Sequence, residues 1–165
     1  MFTPLPKRSC ACQGCRCNYT DLLLVESLLY PAAVPGGVAV PSTATGQGSL
    51  LVTNKDQFYV HLGVRNIHEV TMSHIHFRNT KDPQTNGPIL LVLNNNTKNP
   101  IRSLDGTLVS RMFTTQDFEA PYTHMSMDDF RDLLVHNKLY FNVHTVKNPN
   151  GELAAPMIPA LQLAS

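Results

Sequence analysis

Between Phe58 and Val64 the chain changes polarity at every residue: Phe58, Val60, Leu62 and Val64 alternate with Tyr59, His61 and Gly63. Successive side chains of an extended strand leave on opposite sides, so a period of two marks a strand with one face in a core. Short strand-like segments of this kind recur along most of the chain. Asp21–Tyr30 (DLLLVESLLY) is apolar enough for a helix or a buried strand; Pro31, Pro35, Gly36 and Gly37 stop it early, which favours the strand. Residues 31–47 read as a loop, with three prolines and three glycines among small residues. Further strands are expected at Ser49–Thr53, Phe58–Val64, Val70–Phe77, Pro88–Leu93, Leu108–Phe113, Leu139–Thr145 and Glu152–Ile158, separated by polar turns. The run Pro88–Leu93 (PILLVL) is continuously apolar, as in a strand covered on both faces.

One helix is signalled, over about residues 126–137. Ser126 followed by Asp129 is a capping-box pattern, Met127, Phe130, Leu133 and Leu134 recur at helical spacing, and Lys138 near the end suits the helix dipole. Seven or so strands and one helix predict an all-β fold: an antiparallel, Greek-key-like β-sandwich or barrel.

Charge excludes several functions. Thirteen Lys and Arg balance twelve Asp and Glu for a formal net charge of +1. The surface therefore has no global field to draw in nucleic acid, and near-neutrality permits self-association. No run reaches the ~18 apolar residues of a membrane-spanning helix. The nucleotide-binding patterns GxGxxG and GxxxxGK[ST] and the hydrolase pattern GxSxG are absent.

All four cysteines, Cys10, Cys12, Cys15 and Cys17, lie in the string CACQGCRC. Residues 1–18 read as a cysteine-rich arm, and 19–165 as a single β-domain without a thiol. Three chemistries fit the arm. Four thiolates could hold zinc, although structural zinc sites ordinarily take two spaced pairs. Cys-x-Cys disulfides would close small strained rings. Intermolecular disulfides suit several exposed thiols with no partner in their own domain, and this is the expectation adopted here. Arg8 and Arg16 would favour the reactive thiolate. Met1–Cys17 lacks the pattern of an ordinary signal peptide, so cytoplasmic synthesis followed by a non-standard route outward is expected.

His74 and His76 stand two apart on one face of a predicted strand, with Ile75 and Phe77 on the other. His144 shares a face with Tyr140 and Asn142 on another strand. If the two strands are neighbours, three imidazoles converge, a sufficient ligand set for copper or zinc. The alternative is a buried polar network in which each ring bonds a backbone carbonyl, Asn142 or Thr145. His61, His68, His124 and His136 read as surface or turn residues.

HIHFRN (His74–Asn79), GPILLVL (Gly87–Leu93), a short amphipathic helix and then LYFNVHTVKNPNGEL (Leu139–Leu153) together resemble the CHRD domain, a module named in chordin and widespread in bacterial proteins. The resemblance covers roughly residues 21–158 and implies that Asn142, Thr145, Asn148, Pro149, Gly151 and Glu152 form a structural motif. The family's Glu-Val-Pro-Pro string is not found; GGVAVPSTATGQG (Gly36–Gly48) stands near that place. The family is associated with extracellular, surface or developmental proteins and is not established as catalytic. The three histidines are also similar to those of copper–zinc superoxide dismutase, a Greek-key barrel.

These readings point to a non-enzymatic structural subunit of an extracellular or spore-surface assembly. Its partner is itself, through cysteine cross-links and through edge strands or the 1–30 segment adding to a neighbour's sheet. It needs no cofactor, nucleic acid or membrane span. The alternative is a copper- or zinc-binding protein, with redox activity of the dismutase type as its furthest extension.

Overall fold

The structure, a computed structural model, describes residues 23–53 and 56–162. Among them are eight strands: β1 (Leu23–Pro31), β2 (Thr45–Val52), β3 (Gln57–Phe77), β4 (Ile89–Asn95), β5 (Ile101–Thr114), β6 (Leu139–Thr145), β7 (Leu153–Pro156) and β8 (Ile158–Gln162). Between β5 and β6 come two 3-10 turns and one α-helix, α1 (Met127–Val135). Every strand pairing is antiparallel, and β1–β2–β3–β6–β7 close back on β1. β4 and β5 lie along the other edge of β3, and β8 lies against β1. The all-β antiparallel expectation therefore holds, in a barrel flattened towards a sandwich.

The organising element is β3, a single strand of 21 residues where the sequence suggested two. Its first half is held between β2 and β5, its second between β6 and β4. Arg65, Asn66, His68 and Glu69 look like a turn in the sequence; instead they sit exposed on the outside of a bend. Asn66 and Glu69 take positive φ (51° and 52°), and the ladder to β5 shifts register between Val64 and Ile67. Ile67 and Val70 remain fully buried through the bend. Bulges thus turn the strand without releasing it from the sheet, and one strand serves both layers.

Other boundaries differ for similar reasons. β2 begins at Thr45, inside the expected loop, because Thr45, Gly46 and Gln47 pair with Arg65, Val64 and Gly63 of β3; Gly48 lies under the Phe141 ring, where a Cβ would come within 2.7 Å. β5 begins at Ile101, since its polar first half still pairs with β3. The expected strand Glu152–Ile158 divides at the buried Met157 into β7 and β8, as the chain moves to pair with the start of β1. Because Leu23–Leu29 is paired to β2 and Leu23–Glu26 to β8, that part of the 1–30 segment is committed to its own barrel and is not available to a neighbour's sheet.

The core runs between the layers, with aromatic rings at the end that α1 covers. The Phe58 ring lies 5.9 Å from Phe113, 5.9 Å from Phe118 and 4.8 Å from Phe130. Met127, Phe130 and Leu134 are the buried face of the helix. Ser126 Oγ accepts from the Asp129 amide at 3.1 Å, and the Asp129 carboxylate accepts from the Ser126 amide and hydroxyl, closing the expected capping box. The helix ends at Val135, short of the expected 137; Asn137 at φ 60° turns the chain out, and Lys138 lies beyond the last turn. Replacing Ser126 by Ala removes both bonds of its hydroxyl to Asp129, and a loss of about 1 kcal/mol of unfolding free energy is expected in urea titration. An unchanged midpoint would mean that packing of Phe130 alone sets the helix start.

Candidate functional site

β6 is buried at all seven positions, although its sequence alternates apolar and polar residues. Leu139, Phe141 and Val143 face the main core. Tyr140, Asn142 and His144 face the other way, beside His74 and His76 of β3: His74 is opposite Asn142, and His76 is opposite Tyr140. Three covering segments roof this polar face through the Ala33 carbonyl, Asn86 and the Gly87 carbonyl, and the Pro149 carbonyl.

The β3–β6 pairing brings the three predicted imidazoles together. His74, His76 and His144 are 3%, 3% and 4% exposed, and one ring nitrogen from each lies within 4.8 Å of the others. His144 Nδ1–H donates to the Pro149 carbonyl at 2.9 Å, and His76 Nδ1–H donates to the Gly87 carbonyl at 2.8 Å. A carbonyl can only accept, so each neutral ring keeps its lone pair on Nε2. His74 Nδ1 lies 3.0 Å from His144 Nε2, and His74 must be the donor there. His76 Nε2 is buried and has no hydrogen-bond partner. Thus two rings bond carbonyls, as a polar network requires, while neither Asn142 nor Thr145 bonds an imidazole.

Electrostatics keep the cluster neutral. Burial, then the neighbouring His144 and His76, lowers His74 to about 3. Burial lowers His76 to about 4, against a partial opposing pull from its bond to Gly87. Burial lowers His144 too, with the Pro149 bond opposing it. Tyr140 stacks on His76 at 5.2 Å and 15°, and burial pushes its phenol up to about 12.

The motif residues after His144 build the hairpin from β6 to β7. Burial raises the Glu152 carboxyl, but hydrogen bonds from Ser42 (2.5 Å), Thr145 (2.6 Å) and Asn148 (2.9 Å), with Lys147 nearby, hold it below the ordinary carboxylate range. The Gly151 amide donates to the Asn148 carbonyl at 3.0 Å. Asn142 Nδ2 donates to the Ala33 carbonyl (2.8 Å) and to Asn86 (3.0 Å), and the Tyr140 hydroxyl donates to the same Asn86 oxygen. Ser42 and Asn86 were not singled out by the sequence, and Gly87 only as the start of the GPILLVL string. They sit in polar stretches, and only Gly87 carried a signal: a Cβ there would overlap the Phe77 carbonyl, so a glycine is needed where the loop crosses β3.

His61 is half-buried on β3, and His68, His124 and His136 are exposed. A groove of about 860 Å³ lies away from the cluster, lined by Leu28, Gln47, His61, Arg65 and Asp105 among others. Cys10, Cys12, Cys15 and Cys17 lie outside the described residues. No helix among the described residues is long and apolar enough to cross a membrane.

Compared with known proteins, the chain matches the model of the CHRD domain over residues 28–155, well over half its length. No curated protein and no solved structure matches it significantly. CHRD domains are typically extracellular β-domains. The His-Ile-His segment of β3, all of β6 and the Asn-Pro-Asn-Gly-Glu hairpin fall inside the matched span, and the chain belongs to the CHRD domain family.

Proposed function

We propose that this protein is a non-enzymatic structural subunit of an extracellular or spore-surface assembly, whose copies associate through the β-domain and are joined by disulfides from Cys10, Cys12, Cys15 and Cys17. The observation that carries this reading is the segregation of sulfur chemistry: four thiols within CACQGCRC, and none in the following 148 residues (165 minus 17). A domain that folds without disulfides leaves its thiols free to serve a neighbour. Each cross-link joins two Sγ atoms and passes two protons and two electrons to an extracellular oxidant or an exchanging disulfide. Family membership agrees with an oxidising compartment.

The β-domain offers means of association. Leu28, 77% exposed, shares the outer face of β1 with Tyr30, and Ile158 of β8 stands opposite Glu26 on that same face. The patch lies on the strand that follows the cysteine segment in sequence. Among the described residues β8 pairs only with β1, and β5 only with β3, which leaves outer edges for strand addition.

Purified protein left to oxidise is expected to form a ladder of multimers on a non-reducing gel, collapsing to one band with reductant. The variant with all four cysteines changed to Ser is expected to run as a monomer on that gel. A single monomer band from the oxidised parent would remove the cross-linking role.

A further inference from the structure

The histidine cluster carries an inference independent of the cysteines. Three observations bear on it. The imidazoles come from two paired strands and are almost wholly buried. His76 and His144 are each fastened by Nδ1–H to a backbone carbonyl, the arrangement that orients a metal-binding imidazole and leaves Nε2 as its donor atom. And His76 Nε2 is a buried lone pair with no partner, a deficit that costs stability if nothing fills it.

We propose that His74, His76 and His144 form a binding site for one copper ion in its monovalent state, with Nε2 of His76, Nε2 of His144 and Nδ1 of His74 as ligands. His74 Nδ1 and His144 Nε2 are already 3.0 Å apart. Two nitrogens on one ion at ~2.0–2.1 Å stand about 3.3–3.5 Å apart, so this pair is close to a coordination edge. The widest nitrogen separation, within 4.8 Å, must close by up to about 1.5 Å through rotation of the rings. Protons balance: the ion replaces the proton of His74 Nδ1, and His74 takes one on Nε2, so the ring changes tautomer and stays neutral.

Charge selects the oxidation state. No carboxylate or thiol joins the three rings among the described residues, and Glu152 is spent on Ser42, Thr145 and Asn148. Desolvation grows with the square of charge, so a dication held only by neutral ligands costs about four times as much to bury as a monocation. Imidazole suits copper and zinc alike; burial without an anion tips the balance to monovalent copper.

The test uses the full chain with Cys10, Cys12, Cys15 and Cys17 changed to Ser, since thiols would take copper themselves. Anaerobic competition with a chromophoric copper(I) chelator is expected to show one equivalent bound per chain, and zinc is expected to bind more weakly. His76→Phe keeps a flat ring against Tyr140 and is expected to lower copper affinity at least about 100-fold. Should that variant fail to fold, imidazole nitrogen NMR of the folded parent decides: copper should shift Nε2 of His76 and His144 and convert the His74 tautomer. Tighter binding of zinc would overturn the assignment to monovalent copper, while absence of stoichiometric copper, unchanged affinity in a folded His76→Phe, or ring signals unmoved by copper would each overturn the site and leave a buried polar cluster in its place.

Discussion

Lowering the pH from 6.5 to 4 is expected to unfold the metal-free protein, most of the loss coming before any carboxylate titrates. The folded chain holds His74 at about 3 and His76 at about 4, against 6.5 for a free imidazole. Below 6.5 the unfolded chain takes up protons that the folded chain refuses, so stability falls as pH falls. Each ring contributes at most about 1.4 kcal/mol per pH unit until its folded pKa is reached. Two rings give at most about 3 kcal/mol per unit, which can exhaust a typical domain stability of about 5–15 kcal/mol within a few units. His144 is lowered in the same sense and adds to the slope. Tyr140, raised to about 12, stays neutral throughout. Glu152 acts later: its lowered carboxyl supplies stability that is complete above about 4.5 and is lost as pH falls through its folded value. Urea midpoints at several pH values, with a chelator present, would check this. The free energy should fall steadily from pH 6.5 downward, and His76→Phe should reduce the slope by about one proton. A flat profile between pH 7 and 5 would mean that the rings are not held neutral by the fold.

How much of this could be read beforehand differs between elements. Strand identity was legible because period two is local: Phe58 to Val64 states it in seven residues. The helix was legible because Ser126 and Asp129 form a local capping pair. The unity of β3 was not, because Arg65, Asn66, His68 and Glu69 have the composition of a turn, and only the ladder to β5 shows that they bulge. Convergence of His74, His76 and His144 could be posed but not decided, since it depends on β3 pairing with β6 across 70 residues of sequence. The roof over the histidines was illegible altogether. Its contacts come from backbone carbonyls of Ala33, Gly87 and Pro149, and a carbonyl carries no residue identity. Hence the alternation of β6 showed a polar face, and its complete burial could not be read from the strand itself.

That roof leaves Gly151 little open to change. Its φ of +125° is a conformation that side-chain-bearing residues rarely adopt. A Cβ there would stand 2.5 Å from Asn142 Oδ1, 2.8 Å from Asn142 Nδ2 and 2.9 Å from the Ala33 carbonyl. None of these atoms can retreat freely, because Asn142 Nδ2 is bonded to that same carbonyl and to Asn86, and Asn86 also holds Tyr140. Gly151→Ala must therefore strain the turn, at about 1–3 kcal/mol, and separate a buried amide from its partners, at about 1–3 kcal/mol more. A loss of about 2–6 kcal/mol in unfolding free energy is expected, enough to leave a marginal domain partly unfolded at 37 °C. Gly36→Ala is the control: its φ of +78° is also positive, but nothing lies within 4 Å of the added Cβ, so it carries strain alone. The difference between the two variants in urea titration measures the contact. Equal losses would show that Asn142 and the Ala33 segment yield at little cost, and that the covering segments are looser than their hydrogen bonds imply. A larger loss for Gly151→Ala would tie the hairpin, Asn142 and the segment over β6 into one unit. The Pro149 carbonyl that orients His144 belongs to that hairpin, so the same substitution should broaden or shift the His144 ring signals even where the chain remains folded.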